Sequence, residues 1–161
     1  KISESSYLVA KWKGPRSTYE WGSLIEVDKN GKTTYKHSIK IGEKGKENIL
    51  DVGFINNFRI LSEKNILVST YCGFGNSQRY RKGVVAEITR KGAESNKVIY
   101  DIVWKYEDPG EVWDADKLPD GEFVVAIGGI LGKICWLDNK GKLIKSEDMP
   151  YLTGIDVVPN K

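Results

Sequence analysis

The stretch Trp113-Asp114-Ala115-Asp116-Lys117-Leu118-Pro119-Asp120-Gly121, followed by Glu122-Phe123-Val124-Val125-Ala126-Ile127-Gly128-Gly129 and then Gly132-Lys133-Ile134-Cys135-Trp136-Leu137-Asp138-Asn139-Lys140-Gly141-Lys142-Leu143-Ile144, decides how this chain folds. Its apolar runs are short and rich in β-branched and aromatic residues. They are separated by a Pro-Asp-Gly turn, a Gly-rich loop and an Asn-Lys-Gly turn. Four strands in an antiparallel meander are what such a pattern encodes.

The unit recurs upstream. Glu26-Val27-Asp28-Lys29-Asn30-Gly31-Lys32 matches Trp136-Leu137-Asp138-Asn139-Lys140-Gly141-Lys142, and Glu87-Ile88-Thr89-Arg90-Lys91-Gly92 forms a third copy with Thr in place of Asp. Glycine supplies the left-handed residue that such turns need, and the Asp bonds its own turn backbone. The second strands align as Tyr7-Leu8-Val9-Ala10, Ile66-Leu67-Val68-Ser69 and Phe123-Val124-Val125-Ala126. First strands precede the second and third copies, at residues 58–65 and 116–121. The first copy lacks one. Its pattern appears instead at the far end, in Asp156-Val157-Val158-Pro159-Asn160-Lys161.

The expected fold is therefore all-β. About three four-stranded blades of a β-propeller span residues 5–48, 49–107 and 108–149, with a closing strand at 151–161, all in one domain over residues 1–161. The repeat period is roughly 54 residues. Propellers commonly hold about four to eight blades. Two arrangements follow: a homodimer that completes a six-bladed ring, or a segment of a longer propeller. Closed symmetry favours the first. The lack of a Met before Lys1 favours the second.

Composition bounds the function. The chain has 161 residues, 25 Lys and Arg against 22 Asp and Glu, and a net charge of +3. The lysines are scattered, which suits a solvated surface and gives no nucleic-acid signature. No apolar run reaches the length of a membrane span. Cys72 and Cys135 have no metal-ligand spacing and read as buried free thiols. The compartment stays open, with an extracellular or periplasmic setting favoured. No cofactor, no metal site and no helix is expected.

In order, residues 7–13 read as a strand, and residues 23–28 and 32–38 as a hairpin over Lys29-Asn30-Gly31. Residues 40–48 read as a connector. Residues 84–89 and 97–106 read as outer strands joined by a long Lys-Gly-Ala-Glu-Ser-Asn turn.

In a blade, the loop between the second and third strands shares a face with the segment that leads into the first. Candidate ligand-binding residues on that face are Arg16, Tyr19, Trp21, Asn57, Arg79, Tyr80, Arg81, Trp113 and Asp114, with Asn56 and Asp108 nearby. Aromatic faces with Arg and amide groups suit sugars, anions or a planar ring. No catalytic residue is assigned. His37, the single histidine, reads as structural or solvent-exposed at the outer edge of a blade. Asp114 and Asp116 are two apart on a strand and so face one side. The second copy has Asn57 and Arg59 in their places.

The third unit, through Asp114-Ala115-Asp116-Lys117-Leu118-Pro119-Asp120-Gly121, Val124-Val125-Ala126 and Trp136-Leu137-Asp138-Asn139-Lys140-Gly141-Lys142, resembles blades of the arylsulfotransferase-like and quinoprotein-like β-propellers. The sulfotransferase resemblance implies a catalytic His near the axis, where this chain has Val112-Trp113-Asp114. The quinoprotein resemblance implies an outer turn that ends on a docking aromatic, which Asp28-x-x-Gly31-Lys32-x-x-Tyr35 keeps as Tyr. The expectation is a non-catalytic β-propeller module that binds a sugar, anion or protein on the loop face. The alternative is part of an arylsulfotransferase-like or quinoprotein-like enzyme whose catalytic groups lie outside this chain.

Overall fold

The computed structural model describes residues 6–11, 23–41, 43, 46–53, 55–70, 82–128, 132–152 and 154–157. These residues form an all-β structure, with no helix among them. The strands are β1 (Ser6–Lys11), β2 (Ser23–Asp28), β3 (Thr33–Ile41), β4 (Asn48–Asp51), β5 (Ile55–Ile60), β6 (Asn65–Thr70), β7 (Gly83–Glu94), β8 (Lys97–Asp108), β9 (Val112–Lys117), β10 (Phe123–Ile127), β11 (Lys133–Leu137) and β12 (Leu143–Asp148).

Two sheets result. One runs β12-β11-β10-β9 and is the meander expected from residues 113–144. The other is an eight-stranded mixed sheet, β1-β2-β3-β8-β7-β6-β5, with β4 paired to β3. Its end strands β1 and β5 approach each other, so the sheet nearly closes into a barrel. The expected separation of the first two units into distinct blades is therefore corrected. Lys36–Ile39 of β3 pairs in parallel with Lys97–Tyr100 of β8 and joins them into one sheet.

Turn chemistry explains where the strands reverse. Asp28 Oδ1 accepts the N–H groups of Asn30 and Lys32 at 2.8 and 2.9 Å, and Asp138 Oδ1 accepts those of Lys140 and Lys142 at 2.8 Å each. Gly31 and Gly141 take φ +78 and +80, which only glycine adopts freely. The third copy does not turn there. Thr89 offers a hydroxyl in place of the carboxylate, and that hydroxyl donates to Asn65 Oδ1 at 2.8 Å. β7 continues through a bulge between Arg90 and Gly92 and reverses at Ser95 and Asn96, with φ of 44 and 64. Two positive φ values define the tight turn that matches strand twist. The long outer turn expected at residues 91–96 is thus corrected to a two-residue hairpin.

The two cores are copies of each other. Inside the eight-stranded sheet, Leu24, Ile39, Ile55, Ile66, Val68, Ala86 and Ile88 are buried together, with Leu8 and Phe58 against them. Between that sheet and the second one, Leu67, Val85, Val112, Ala115, Phe123, Val125, Cys135 and Leu137 form the other core. The repeat maps Ile66, Val68, Ala86 and Ile88 onto Phe123, Val125, Cys135 and Leu137. It also maps Leu8 and Leu24 onto Leu67 and Val85. Each unit presents one face to its successor and receives its predecessor on the other. Trp104 stacks on Phe123 across the second core, with ring centroids 3.8 Å apart. Cys135 is free and buried, and burial pushes its thiol up; Cys72 lies outside the described residues.

Glycine substitutions separate close approach from open space. A Cβ on Gly128 would fall 1.8 Å from the indole of Trp113, whereas one on Gly92 meets nothing within 4 Å. Urea denaturation should show Gly128→Ala destabilised by about 1–3 kcal/mol and Gly92→Ala unchanged within about 0.5 kcal/mol.

Candidate functional site

The strands have two ends. Of the candidates that the sequence singles out, three can be placed, all at the loop end. Arg16, Tyr19, Trp21, Arg79, Tyr80 and Arg81 fall outside the described residues. Asn57, Trp113 and Asp114 come together there, and with them Arg59.

Asp114 is 3% exposed. Its Oδ1 accepts the Asn57 side-chain amide at 2.7 Å and the Ala115 N–H at 2.8 Å. Its Oδ2 accepts an Arg59 N–H at 3.2 Å and the Ile155 N–H at 3.1 Å. Arg59 also donates to the Ile155 carbonyl at 3.1 Å, and its Nε lies 3.9 Å from Asp116. A buried carboxylate needs this degree of compensation. Asp114 and Asp116 do share a face, and the Asn57 and Arg59 that replace them one unit earlier are their partners. Asn56 donates to the Val112 carbonyl at 2.5 Å. Trp113 is half-buried, with its ring against Gly128. Asp108 accepts the Tyr106 hydroxyl and the Gly110 N–H, both at 2.8 Å. Burial, and then the bond to Asp108, push the Tyr106 hydroxyl far up. In the described part of this end, polar side chains tie first strands together.

At the opposite end, where the hairpins turn, the barrel-like sheet opens into a cavity of about 360 Å³. Leu8 of β1, Glu26 of β2, Ile60 of β5, Ile66 of β6, Arg90 of β7 and Tyr100 of β8 line it, with Ser62 and Glu63 at the rim. Its size lies within the range of small-ligand pockets, and mouths of closed β structures commonly hold them.

Glu26 is 6% exposed, because it shares the inward face of β2 with Leu24. His37 Nε2 approaches its Oε1 at 3.2 Å. The approach is short but badly aligned, so Glu26 Oε1 and both imidazole nitrogens are buried without a well-formed hydrogen bond. His37 is 1% exposed and stacks on Tyr100 at 5.3 Å between centroids. Of the two readings for His37, structural and solvent-exposed, exposure is corrected, since β8 covers the ring through the parallel seam. Contact with His37 holds the Glu26 carboxyl below its ordinary range. Burial opposes this, and the charges of His37 and Arg90 add to the lowering. Burial pushes the Tyr100 hydroxyl far up, so it stays a donor.

Sequence reasoning missed this end. The signal lay in the repeat: Glu26 and Glu87 occupy corresponding third-strand positions, facing Leu8 and Leu67 across the ladder. Among the described residues, no group of three or more His, Cys, Asp and Glu could hold a metal ion, and no helix is long and apolar enough to cross a membrane. No family model, curated protein or solved structure matches the chain.

Two measurements check these assignments. Asp114→Ala removes one acceptor from Arg59 and the acceptor of the Ile155 N–H, and should lower unfolding free energy by about 3 kcal/mol. Proteolysis within residues 154–157 should quicken with it. The lowered Glu26 carboxyl makes its contribution present above the ordinary value of 4.5 and lost as pH falls through the folded-state value. Relative to Glu26→Gln, the wild-type protein should therefore lose stability on acidification below pH 4.5 and keep a constant difference above it.

Proposed function

We propose that this chain is a non-catalytic binding module of the β-propeller type, and that its ligand is a small polar molecule held in the cavity at the turn end. The observation that carries the binding reading is Glu26: a buried residue that lines a cavity of about 360 Å³ and whose Oε1, turned toward His37, lacks a well-formed hydrogen bond. Buried polar groups in proteins are ordinarily satisfied. A donor brought by a ligand would complete this one.

The propeller reading draws support from the two corresponding cores and from the first strands β5 and β9, tied side by side through Asn57, Arg59 and Asp114. Residues 154–157 meet Asp114 as a further first strand would. A ring continued by a second copy, or by more sequence, belongs to the same reading. Asn57 and Asp114 then serve the ring, and a loop-face ligand would rely on Arg16, Tyr19, Trp21, Arg79, Tyr80 and Arg81.

Amide chemical shifts should be followed while monosaccharides, α-amino acids and small carboxylates are added in turn. Shifts centred on Ser62, Glu63, Arg90 and Tyr100 are expected. Shifts centred on residues 12–22 and 71–81 instead would move the ligand to the loop face, and no shift with any compound class would defeat the binding reading.

A further inference from the structure

Glu26 and Glu87 are the same residue of the repeat in different company. Glu87 is also 6% exposed, yet both of its oxygens are bonded: Oε1 accepts the Asn65 amide at 2.7 Å and Oε2 meets Lys117 Nζ at 2.6 Å. Lys117 comes from the first strand of the following unit, where it pairs with Phe123. The corresponding residue for Glu26 is Ile60, which pairs with Ile66 in the same register and lines the Glu26 cavity. The chain thus builds the same buried carboxylate twice and supplies an ammonium to only one; the other, Glu26, has the His37 imidazole 3.2 Å from Oε1, without a well-formed hydrogen bond. Ile60 is too short and too apolar to supply the other.

The rest of the lining agrees. Leu8, Ile60 and Ile66 form an aliphatic wall, and Glu63 adds a second negative charge at the rim. The Arg90 side chain is exposed, and its charge reaches both Glu26 and Tyr100. A simple alkylamine would satisfy Glu26 but face Arg90 unfavourably. A molecule with an ammonium at one end, an aliphatic body and a carboxylate at the other matches all three features.

We infer that the cavity takes a small aliphatic amino acid, its ammonium on Glu26 where Lys117 would stand in the next unit and its carboxylate toward Arg90. This rests on the binding reading above and adds the ligand class.

Two experiments test it. The first is calorimetric titration with 6-aminohexanoate, hexylamine, hexanoate and glucose. 6-Aminohexanoate should bind at least about tenfold more tightly than the other three, a gap of about 1.4 kcal/mol. Glu26→Gln should remove its advantage over hexanoate, and Arg90→Gln its advantage over hexylamine. Glucose as the tightest of the four would overturn the amino-acid assignment and leave the binding reading standing. Binding of none of them would overturn the assignment too, and the shift mapping above then decides the broader reading alone.

The second experiment needs no ligand. Ile60 is 49% exposed, so a longer side chain has room. Ile60→Lys should restore the arrangement seen at Glu87, raise Tm by about 2–4 °C and abolish 6-aminohexanoate binding. In the Glu26→Gln background the gain in Tm should vanish. An Ile60→Lys gain that persists without the Glu26 carboxylate, or no gain at all, overturns the inference.

Discussion

A buried carboxylate inside an all-β protein has to be surrounded by donors, and Asp114 shows how much structure one such requirement can organise. Its four bonds reach back to β5 through Asn57 and Arg59, along β9 to Ala115, and forward to Ile155. β5, β9 and residues 154–157 are fixed by two oxygen atoms. The faces behind them then have little freedom, and both cores assemble from corresponding positions of successive units. Leaving any one of these donors out would expose the cost of the charge.

Units that repeat in sequence do not repeat in environment. Wherever a residue faces the next unit, its partner is drawn from a different copy, and small departures decide what happens. Asn57 and Arg59 against Asp114 and Asp116 give an ionic tie. Glu87 against Lys117 gives a closed ion pair, and Glu26 against Ile60 gives an open pocket. The chemistry of this molecule therefore lies in the mismatches between copies.

Strand alternation, the Asp-x-x-Gly turns and the meander over residues 113–144 were legible in the sequence because each depends on local backbone conformation. The extension of β7 past Gly92 was not, because it turns on whether Thr89 bonds its own loop or reaches Asn65. The parallel seam between β3 and β8 joins residues far apart in the chain, which no periodicity reports. The choice between a structural and an exposed His37 stayed open for the same reason: its burial comes from Tyr100, on a strand whose neighbour sequence alone does not name. Asn57 and Asp114, gathered to one end by the aligned copies, meet in the structure through a hydrogen bond. Their tethering role follows from reading the aligned copies as opposing partners, charge against charge. The cavity needed the same comparison at Glu26.

The β3–β8 seam has a consequence for the order of assembly. Nearly every other ladder in the molecule joins strands adjacent in sequence, so hairpins such as β7–β8 and β10–β11 close short loops at little entropic cost. Among the described residues, the seam is the ladder that requires β3 to wait until β8 exists, with β4 to β7 lying between them in the chain. During synthesis the first three strands must therefore emerge with the seam edge of β3 uncovered, and the pocket wall that holds Glu26 stays incomplete until residue 100 has been made. The ladder that joins the two halves of the eight-stranded sheet also brings Tyr100 onto His37, so completion of that sheet and completion of the cavity wall are a single event.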